Sequence, residues 1–458
     1  MALTTSEVEL IQKHRRLSSR NQARDILMLR YYQGQQRVEH LGMAIPPSMR
    51  KFLVITNWCR TLVDTINSRQ QVRSLILPGE ESSDPQLRAI WDANNLSAHL
   101  SMFKADRLVY GRAFMSTGTN EDDEDLPIVR VESPREMTAF VDSYRESMTS
   151  ACRLYGKNEQ GVSPANATLY LPNETIWATL RDGAWVEVDR DVHGLGAVPI
   201  VMDLNRRMSG AWVGESQMTD LIPLVDSAAR SLTNLQFAQE AHGVPSIGAT
   251  GVARGDFTDA DGNPIPQFEA YFDAIKMLTN PDARWTQFTA ADLKNFETAM
   301  KVYQNQASIV TGFPSDYFGN LTANPAAEGA IRASEARLVR SVEMHNEQVG
   351  MTVGWVGALA LRFATGERVE GNRVRVDWFD PATPTIAQRM DAIVKAKGAD
   401  ILSREGSWDE LGWSEARKAK ERAYFEREMA DPYFEAQRAK QATEPEPANA
   451  DPDAPEQR

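Results

Sequence analysis

The sequence predicts an α+β protein in which long helices frame a block of antiparallel strands. Two helical patterns, 291–311 and 326–365, are joined only by the short segment 312–325. Between residues 111 and 200 the apolar side chains instead alternate with polar ones over short runs, which is the period of half-buried strands. The second helical pattern is far longer than an ordinary globular helix, so it favours a structural scaffold.

The chain before the strands reads as helical. Residues 1–30 place apolar side chains at helical spacing among charges, and residues 57–72 put Trp58 on an apolar face. Two further helices are predicted at residues 85–96 and 98–110. We therefore expect a helical frame that leads into the sheet region.

Turn residues divide the region 111–200 into short runs. Asn, Asp, Gly and Pro separate these runs, as expected for connections between antiparallel strands. The predicted strands are 128–131, 138–141, 151–155, 168–171, 175–180 and 185–188.

The helical period returns at residues 214–241, where Leu221, Val225 and Ala228 share one face. Prolines and glycines then interrupt residues 244–290. This segment predicts a β-turn at Asp261-Gly262-Asn263 and a short helix near 268–278.

The first long helical pattern, 291–311, has one apolar stripe along its whole length. Its end is predicted from Gly312, which can adopt a left-handed conformation, and from Pro314, which cannot continue a helix. The helix should be about 30 Å long. The stripe consists of Leu293, Phe296, Met300, Tyr303, Ala307 and Val310.

The second pattern begins after Asn324-Pro325, a cap residue followed by a proline at the first helical position, and runs to Gly366. About 60 Å of helix is predicted. Gly350, Gly354 and Gly357 along it should permit close backbone packing. An ordinary helical bundle is the alternative interpretation of these two long patterns.

The remainder of the chain has shorter elements. A strand is predicted at 373–379, and two helices at 386–397 and 414–429. Residues 442–458 alternate Glu or Asp with Pro and lack an apolar stripe, so we predict a disordered acidic tail.

Composition narrows the class of protein. The 458 residues are 42% hydrophobic and 25% charged, as in globular proteins, and the first ten residues lack the pattern of a secretory signal. We therefore expect a protein of the cytoplasm where it is made. No apolar run is long enough to span a bilayer, so no membrane partner is predicted.

The formal net charge of −13 argues against tight, sequence-independent gripping of nucleic acid, which depends on clustered Lys and Arg. It is compatible with DNA passing nearby. A surface that repels phosphates weakly offers no strong trap along a path.

The sequence contains no complete catalytic or metal-binding motif of a familiar kind, so we predict neither an enzyme nor a cofactor. Gly214-Glu215-Ser216 begins like a nucleophile elbow, but Met218 stands where the second glycine is needed. The acidic run 121–125 reads as a solvated hairpin tip, and the histidines, His345 among them, show no ligand spacing. Cys59 and Cys152 read as buried thiols.

Several short motifs, in their order and spacing, resemble the portal proteins of tailed double-stranded-DNA phages with long non-contractile tails. The resemblance covers nearly the whole chain. The residues that carry it are Tyr31-Tyr32-Gln33-Gly34, 57–72, Tyr110-Gly111-Arg112-Ala113-Phe114, Gly194-Leu195-Gly196-Ala197-Val198-Pro199, Gly214-Glu215-Ser216 with 221–226, Thr311-Gly312-Phe313-Pro314 and 330–342.

The resemblance implies a ring, commonly of twelve subunits, at one capsid vertex, through which DNA enters during packaging and leaves at infection. It also implies a division of the chain into named parts. These are a wing (1–213), a first stem helix (214–243), a clip (244–290), a second stem helix (291–311), a tunnel loop (312–327), a long helix returning to the wing (328–366), a crown (367–440) and the acidic tail (441–458).

The implied DNA-channel residues lie in the tunnel loop and carry no Lys or Arg: Asn320, Leu321, Thr322, Ala323 and Asn324. The implied packing residues between neighbouring stems are Leu293, Phe296, Met300, Tyr303 and Val310. We also expect motion coupled to passing DNA to concentrate in residues 312–325.

The implied partners are other copies of the chain, double-stranded DNA, a terminase that supplies the ATPase, a head–tail adaptor, and the major capsid and scaffolding proteins. The implied location is the capsid vertex of the virion, with assembly in the host cytoplasm. Two alternatives remain: another structural virion or scaffold protein, which would lack a central pore, and an enzyme of unfamiliar class.

Overall fold

A computed structural model describes most of the chain and combines long helices with antiparallel sheets, so the α+β prediction is confirmed. It describes residues 3–36, 54–80, 84–157, 161, 163–243, 247–250, 284–287, 293–319, 328–366, 368, 370–382, 386–413 and 415–430. The chain divides into two compact units, Met1–Ala382 and Thr383–Arg458.

The described helices follow the predicted order with shifted ends. They are α1 (Thr5–Gln33), α2 (Trp58–Arg69), α3 (Pro85–Ala93), α4 (Leu96–Tyr110), α5 (Ile222–Gly243), α6 (Lys294–Thr311), α7 (Glu328–Thr365), α8 (Ile386–Gly398), α9 (Arg404–Glu410) and α10 (Glu415–Ala430). Short 3-10 helices cover Ser315–Phe318 and Gly371–Arg373.

The described strands form four antiparallel sheets. They are β1 (Val72–Ile76), β2 (Arg112–Gly118), β3 (Ile128–Glu132), β4 (Met137–Asp142), β5 (Ser147–Tyr155), β6 (Asn166–Tyr170), β7 (Thr175–Arg181), β8 (Ala184–Asp191), β9 (Ile200–Leu204), β10 (Ile247–Thr250), β11 (Arg284–Gln287) and β12 (Arg375–Trp378). Strands β4 to β8 form a five-stranded meander, β2 lies between β3 and β9, and the other two sheets pair β1 with β12 and β10 with β11.

Local sequence signals explain both ends of α1. At its start, the Thr4 hydroxyl accepts from the Glu7 N–H, and the Glu7 carboxylate accepts from the Thr4 N–H, so two otherwise unpaired donors are satisfied. At its end, Gly34 is left-handed with a φ of 69°. The buried His14 bonds the Thr138 and Ser150 hydroxyls at 2.8 and 3.1 Å, which docks α1 onto β4 and β5.

The predicted close packing along α7 is confirmed. A Cβ added at Gly354 would lie 2.6 Å from the Gly371 carbonyl oxygen and 2.9 Å from that of Val374. One added at Gly350 would lie 3.3 Å from the Trp378 indole nitrogen. The glycines therefore let the segment around β12 approach the backbone of the long helix.

Two predictions in this first unit need correction. The helical pattern 214–241 begins only at Ile222, because the backbone before it bonds to other segments: Glu215 N–H to the Asn205 carbonyl and Gln217 N–H to the Leu108 carbonyl, at 2.9 and 2.8 Å. Strand β2 was also missed, because it is buried on both faces and so shows no alternation.

The second unit contains α8, α9 and α10. The indole of Trp408 lies between the rings of Trp413 and Phe425, with both centroid distances at 5.8 Å. Helix α9 was not predicted; Ser403 caps its start, because the Ser403 hydroxyl accepts from the Gly406 N–H.

Several predictions lie outside the described residues. These are the turn at 261–263, the helix near 268–278, the channel residues Asn320, Leu321, Thr322, Ala323 and Asn324, and the acidic tail.

Candidate functional site

The candidate site is the base of the predicted tunnel loop, where α6 ends. Gly312 is left-handed with a φ of 77°, and its N–H donates to the Ser308 carbonyl at 2.9 Å. The Ser308 hydroxyl donates to the Phe313 carbonyl at 2.6 Å, and the Phe313 N–H donates to the Thr311 hydroxyl at 3.2 Å. The helix end is thus closed by hydrogen bonds that redirect the chain.

Two aromatic side chains fix the next residues to the core. Phe313 and Phe318 are both 2% exposed. The ring of Phe318 meets Trp58 edge-on at 5.7 Å, and Phe313 meets Tyr317 in the same way at the same distance. Burying two phenylalanine rings is worth several kcal/mol, so this part of the loop does not open at little cost.

A polar triad reinforces this anchor. Arg69 donates to the Tyr317 hydroxyl at 2.8 Å and to the Glu335 carboxylate at 2.7 Å, and Tyr317 donates to the same carboxylate at 2.8 Å. Burial, and then the hydrogen bond to Glu335, raise the pKa of Tyr317. Because Arg69 lies on α2 and Glu335 on α7, the triad ties the loop base to two helices.

The expectation that motion concentrates in residues 312–325 stays a prediction. From Gly312 to Gly319 the chain is held by buried rings and by hydrogen bonds to three elements. The loop base is an anchor, and the channel residues that we predict follow directly after it.

The predicted subunit-packing residues do not share one environment. Met300 and Tyr303 pack against the chain's own core, together with Val225 and Ala228 of α5. Leu293 and Phe296 are partly buried, whereas Val310 is 45% exposed.

Sequence reasoning missed Val302 and Ile309, which are 53% and 60% exposed on a different face of α6. Their seven-residue spacing places them on one line along the helix, and this spacing could have identified them.

Two sequence motifs, those of Gly111 and Gly214, meet through close contact of their backbones. A Cβ on Gly214 would lie 1.7 Å from the Gly111 carbonyl oxygen, and Gly111 itself is left-handed with a φ of 79°. That carbonyl accepts from the Asn205 N–H at 2.9 Å, and the Asn205 side chain donates to the Glu215 carbonyl at 2.9 Å. Only glycine allows the two backbones to approach this closely.

A buried arginine connects this junction to the long helix. Arg107 is 1% exposed; it donates to Asp203 at 2.8 Å, to Asn205 at 3.0 Å and to His345 Nδ1 at 2.9 Å, and it also donates to Gln348. Three elements, α4, β9 and α7, are thus joined through one guanidinium.

His345 is a structural residue, as the sequence suggested. Burial, and then the charge of Arg107, lower the pKa of His345 to about 3, so the ring is neutral and its Nδ1 accepts from the guanidinium. Burial alone lowers the pKa of His14 to about 3 as well.

These two histidines predict a specific pH dependence of stability. In the unfolded chain each has its ordinary pKa near 6.5, so below that pH the unfolded state binds more protons than the folded one. The contribution of these two histidines to the free energy of unfolding should therefore be highest above about pH 6.5, whereas Asp106, whose pKa burial raises to about 7, contributes a slope of the opposite sign below that pH. The histidine contribution should fall by about 1.4 kcal/mol per pH unit for each histidine as the pH drops toward 3. Urea denaturation between pH 7 and pH 4 measures this, and a His14→Gln/His345→Gln variant that kept the full slope would contradict it.

The described residues offer no catalytic arrangement. The Ser216 hydroxyl, the nucleophile-elbow candidate, is buried and donates to the Leu108 carbonyl at 3.2 Å. Burial raises the pKa of Cys59 to about 12 and raises that of Cys152 further, so both thiols stay protonated. Within the described part of the chain there is no cluster of His, Cys, Asp or Glu able to hold a metal ion.

None of the helices that the structure describes combines the length and apolarity needed to cross a bilayer. Long helices that are tied to the sheets and to one another by buried polar contacts, as α4, β9 and α7 are through Arg107, are typical of a structural scaffold protein.

Comparison with known proteins identifies the kind of scaffold. The family model described as phage portal protein, SPP1 Gp6-like, matches residues 14–433. The portal protein of Mycobacterium phage D29 is 33% identical over 411 residues, which cover 87% of this chain and 84% of that protein. The portal protein of Mycobacterium phage L5 is 32% identical over 411 residues, which again cover 87% of this chain and 84% of that protein. The chain belongs to the phage portal protein family.

Among solved structures, the neck of an empty gene transfer agent particle is similar with a TM-score of 0.47 and 13% identity, covering 85% of this chain and 93% of that one. A chain from the virion of the native gene transfer agent particle is similar with a TM-score of 0.44 and 15% identity, covering 78% of this chain and 89% of that one. Portal proteins are structural components of the virion at the capsid vertex, where they form the conduit for DNA. The predictions of a portal, of a structural role and of no enzymatic activity are confirmed.

Proposed function

We propose that about twelve copies of this chain form a ring at one capsid vertex, with α5 and α6 as the stem and residues 320–324 facing the DNA that passes. The terminase docks on residues 244–290, and a head–tail adaptor, the major capsid protein and the scaffolding protein contact other faces. The ring assembles in the host cytoplasm. Family membership over residues 14–433 carries this proposal.

The anchored loop base supports the channel role. A segment that contacts moving DNA is pulled along the path, so it needs an attachment that does not yield. The buried rings of Phe313 and Phe318 and the bonds of Tyr317 to Arg69 and Glu335 supply that attachment.

Exposed apolar side chains support ring contacts through α6 and α7. Val302 and Ile309 of α6 are 53% and 60% exposed, and Met344 and Met351 of α7 are 53% and 60% exposed. A closed ring joins two different faces of neighbouring subunits, so two separate apolar faces are needed. We assign these faces to contacts between copies of the chain.

Negative-stain electron microscopy of the purified protein tests the proposal. We expect rings of about twelve subunits with a central pore. A Val302→Asp/Ile309→Asp variant should give folded subunits without rings, since charge would enter the contact unpaired. Circular dichroism checks that the variant is folded. Assemblies without a pore would favour another virion or scaffold protein, and intact variant rings would remove this face from the contact.

A further inference from the structure

The exposed side of α1 is strongly basic although the whole chain is acidic. After Glu9 the helix contains one acidic residue, Asp25, which is buried and paired with Arg112 at 2.6 Å. The net charge of the chain is −13. The basic residues of α1 are Lys13, Arg15, Arg16, Arg20, Arg24 and Arg30.

The helical spacing aligns three of these charges. Ile11 and His14 face the interior, whereas Lys13, Arg16 and Arg20 are exposed, at steps of three and four residues. Their positions rise about 10 Å along the helix axis. Within the described residues none of the three forms an ion pair, so their charge is directed to solvent.

A groove on another flank of α1 contains two more arginines, with Arg15 about 100° around the helix from Arg16. It has a volume of about 400 Å³ and is lined by Arg15, Arg135 and the carboxylates of Asp25 and Glu136. Asp25 is already held by Arg112, and Glu136 shares Arg153 with Glu132, at 3.0 and 3.3 Å. Arg15 and Arg135 have no carboxylate partner among the described residues, so the groove has a net positive charge.

We propose that this basic face, formed by Lys13, Arg16 and Arg20 with the groove of Arg15 and Arg135, binds the phosphate backbone of double-stranded DNA. The site goes beyond the proposed channel, because it lies on α1 and not on the loop after α6. It gives the portal a second contact with the DNA of the same particle.

The chemistry of the face favours DNA over an acidic protein segment. A peptide-binding surface needs apolar anchors, but the exposed uncharged residues from Gln12 to Ala23 are polar or small: Gln12, Ser19, Gln22 and Ala23. The exposed apolar residue of α1, Leu27, lies about two turns beyond Arg20. Phosphate contacts use Arg and Lys together with hydroxyl and amide groups, which are the groups present here. Binding of this kind is independent of sequence and weakens with salt.

Filter binding of assembled rings to a labelled linear DNA duplex tests the proposal, across a salt series from about 50 to 200 mM. The test variant is Lys13→Gln/Arg16→Gln/Arg20→Gln. Its matched control is Arg60→Gln/Arg88→Gln/Arg340→Gln, which removes three exposed charges that each pair with a neighbouring carboxylate.

We expect wild-type and control rings to bind the duplex. The test variant should bind at least about tenfold more weakly, and the slope of log K against log salt should be smaller by about 2.7, or 0.9 for each lost phosphate contact. Equal losses in test and control variants, or no binding by wild-type rings, would overturn the proposal. Equal binding of poly-glutamate would overturn it in favour of an acidic protein partner. Electron microscopy of the same samples reports ring formation separately, so a failure of the ring proposal is distinguished.

Discussion

Replacement of Arg107 by methionine should lower the free energy of unfolding by about 3–5 kcal/mol. The guanidinium is 1% exposed and is the ion-pair partner of Asp203, which is 5% exposed. Without it, one buried carboxylate loses its counter-charge, and His345 and Asn205 lose hydrogen-bond donors. Urea denaturation followed by tryptophan fluorescence measures the loss.

Arg88→Met is the matched control for this experiment. Arg88 pairs with Asp92 at 3.0 Å on the surface of α3, where both side chains are 59% exposed. A solvated pair of this kind contributes at most about 0.5 kcal/mol. Similar losses in the two variants would show that the Arg107 network does not hold α4, β9 and α7 together.

Replacement of Gly214 by alanine should cost about 3 kcal/mol or more, because the added methyl group has no space. It would lie 1.7 Å from the Gly111 carbonyl oxygen and 3.0 Å from that of Asn205, and both obstacles are backbone. Forcing atoms into a packed site commonly costs 1–3 kcal/mol, and the backbone cannot move aside as a side chain can. Soluble yield and the urea midpoint measure the effect.

Gly118→Ala is the control for that substitution. An added Cβ at Gly118 meets nothing within 4 Å, so the change in stability should stay within about 0.5 kcal/mol. A Gly214→Ala variant as stable as this control would contradict the close approach of the two backbone segments.

Elements with local signals could be predicted from the sequence. The capping box of Thr4 and Glu7, the left-handed Gly312 and the glycines of α7 act through neighbouring residues or a regular spacing, so the pattern is visible in one chain. Strand β2 pairs on one side with β9, and the segment before Ile222 bonds to the Leu108 carbonyl, and each of these partners is about a hundred residues away. No local pattern reports such partners.

The site was predicted in outline and not in detail. The motifs around Gly111, Gly214 and Gly312 were recognised, but the sequence does not reveal that Arg107 and Arg69 each join several elements. An apolar stripe shows that a helix face is buried without showing what covers it. Met300 and Tyr303 pack against the chain's own core, and their packing between subunits stays a prediction.

The net charge of the whole chain does not show how the charges are distributed over its surface. A total of −13 predicts a surface that repels phosphates, yet one helix exposes a row of arginine and lysine. Pairing decides the outcome: Arg112 neutralises Asp25, the one acidic residue of α1 after Glu9, so Asp25 does not compensate the basic row of that helix.

We propose that DNA passes a channel loop that is held by the anchor from Gly312 to Gly319. The most direct test of this proposal deletes residues 321–323 and scores packaging of DNA in vivo beside electron microscopy of the rings. The anchor is held by the buried rings of Phe313 and Phe318 and by the hydrogen bond from Tyr317 to Glu335, and the deletion removes none of these contacts. We therefore expect the variant to fold and form normal rings. We also expect it to package or retain markedly less DNA. Normal rings with normal packaging would contradict the account, and absent rings would assign the loop to assembly.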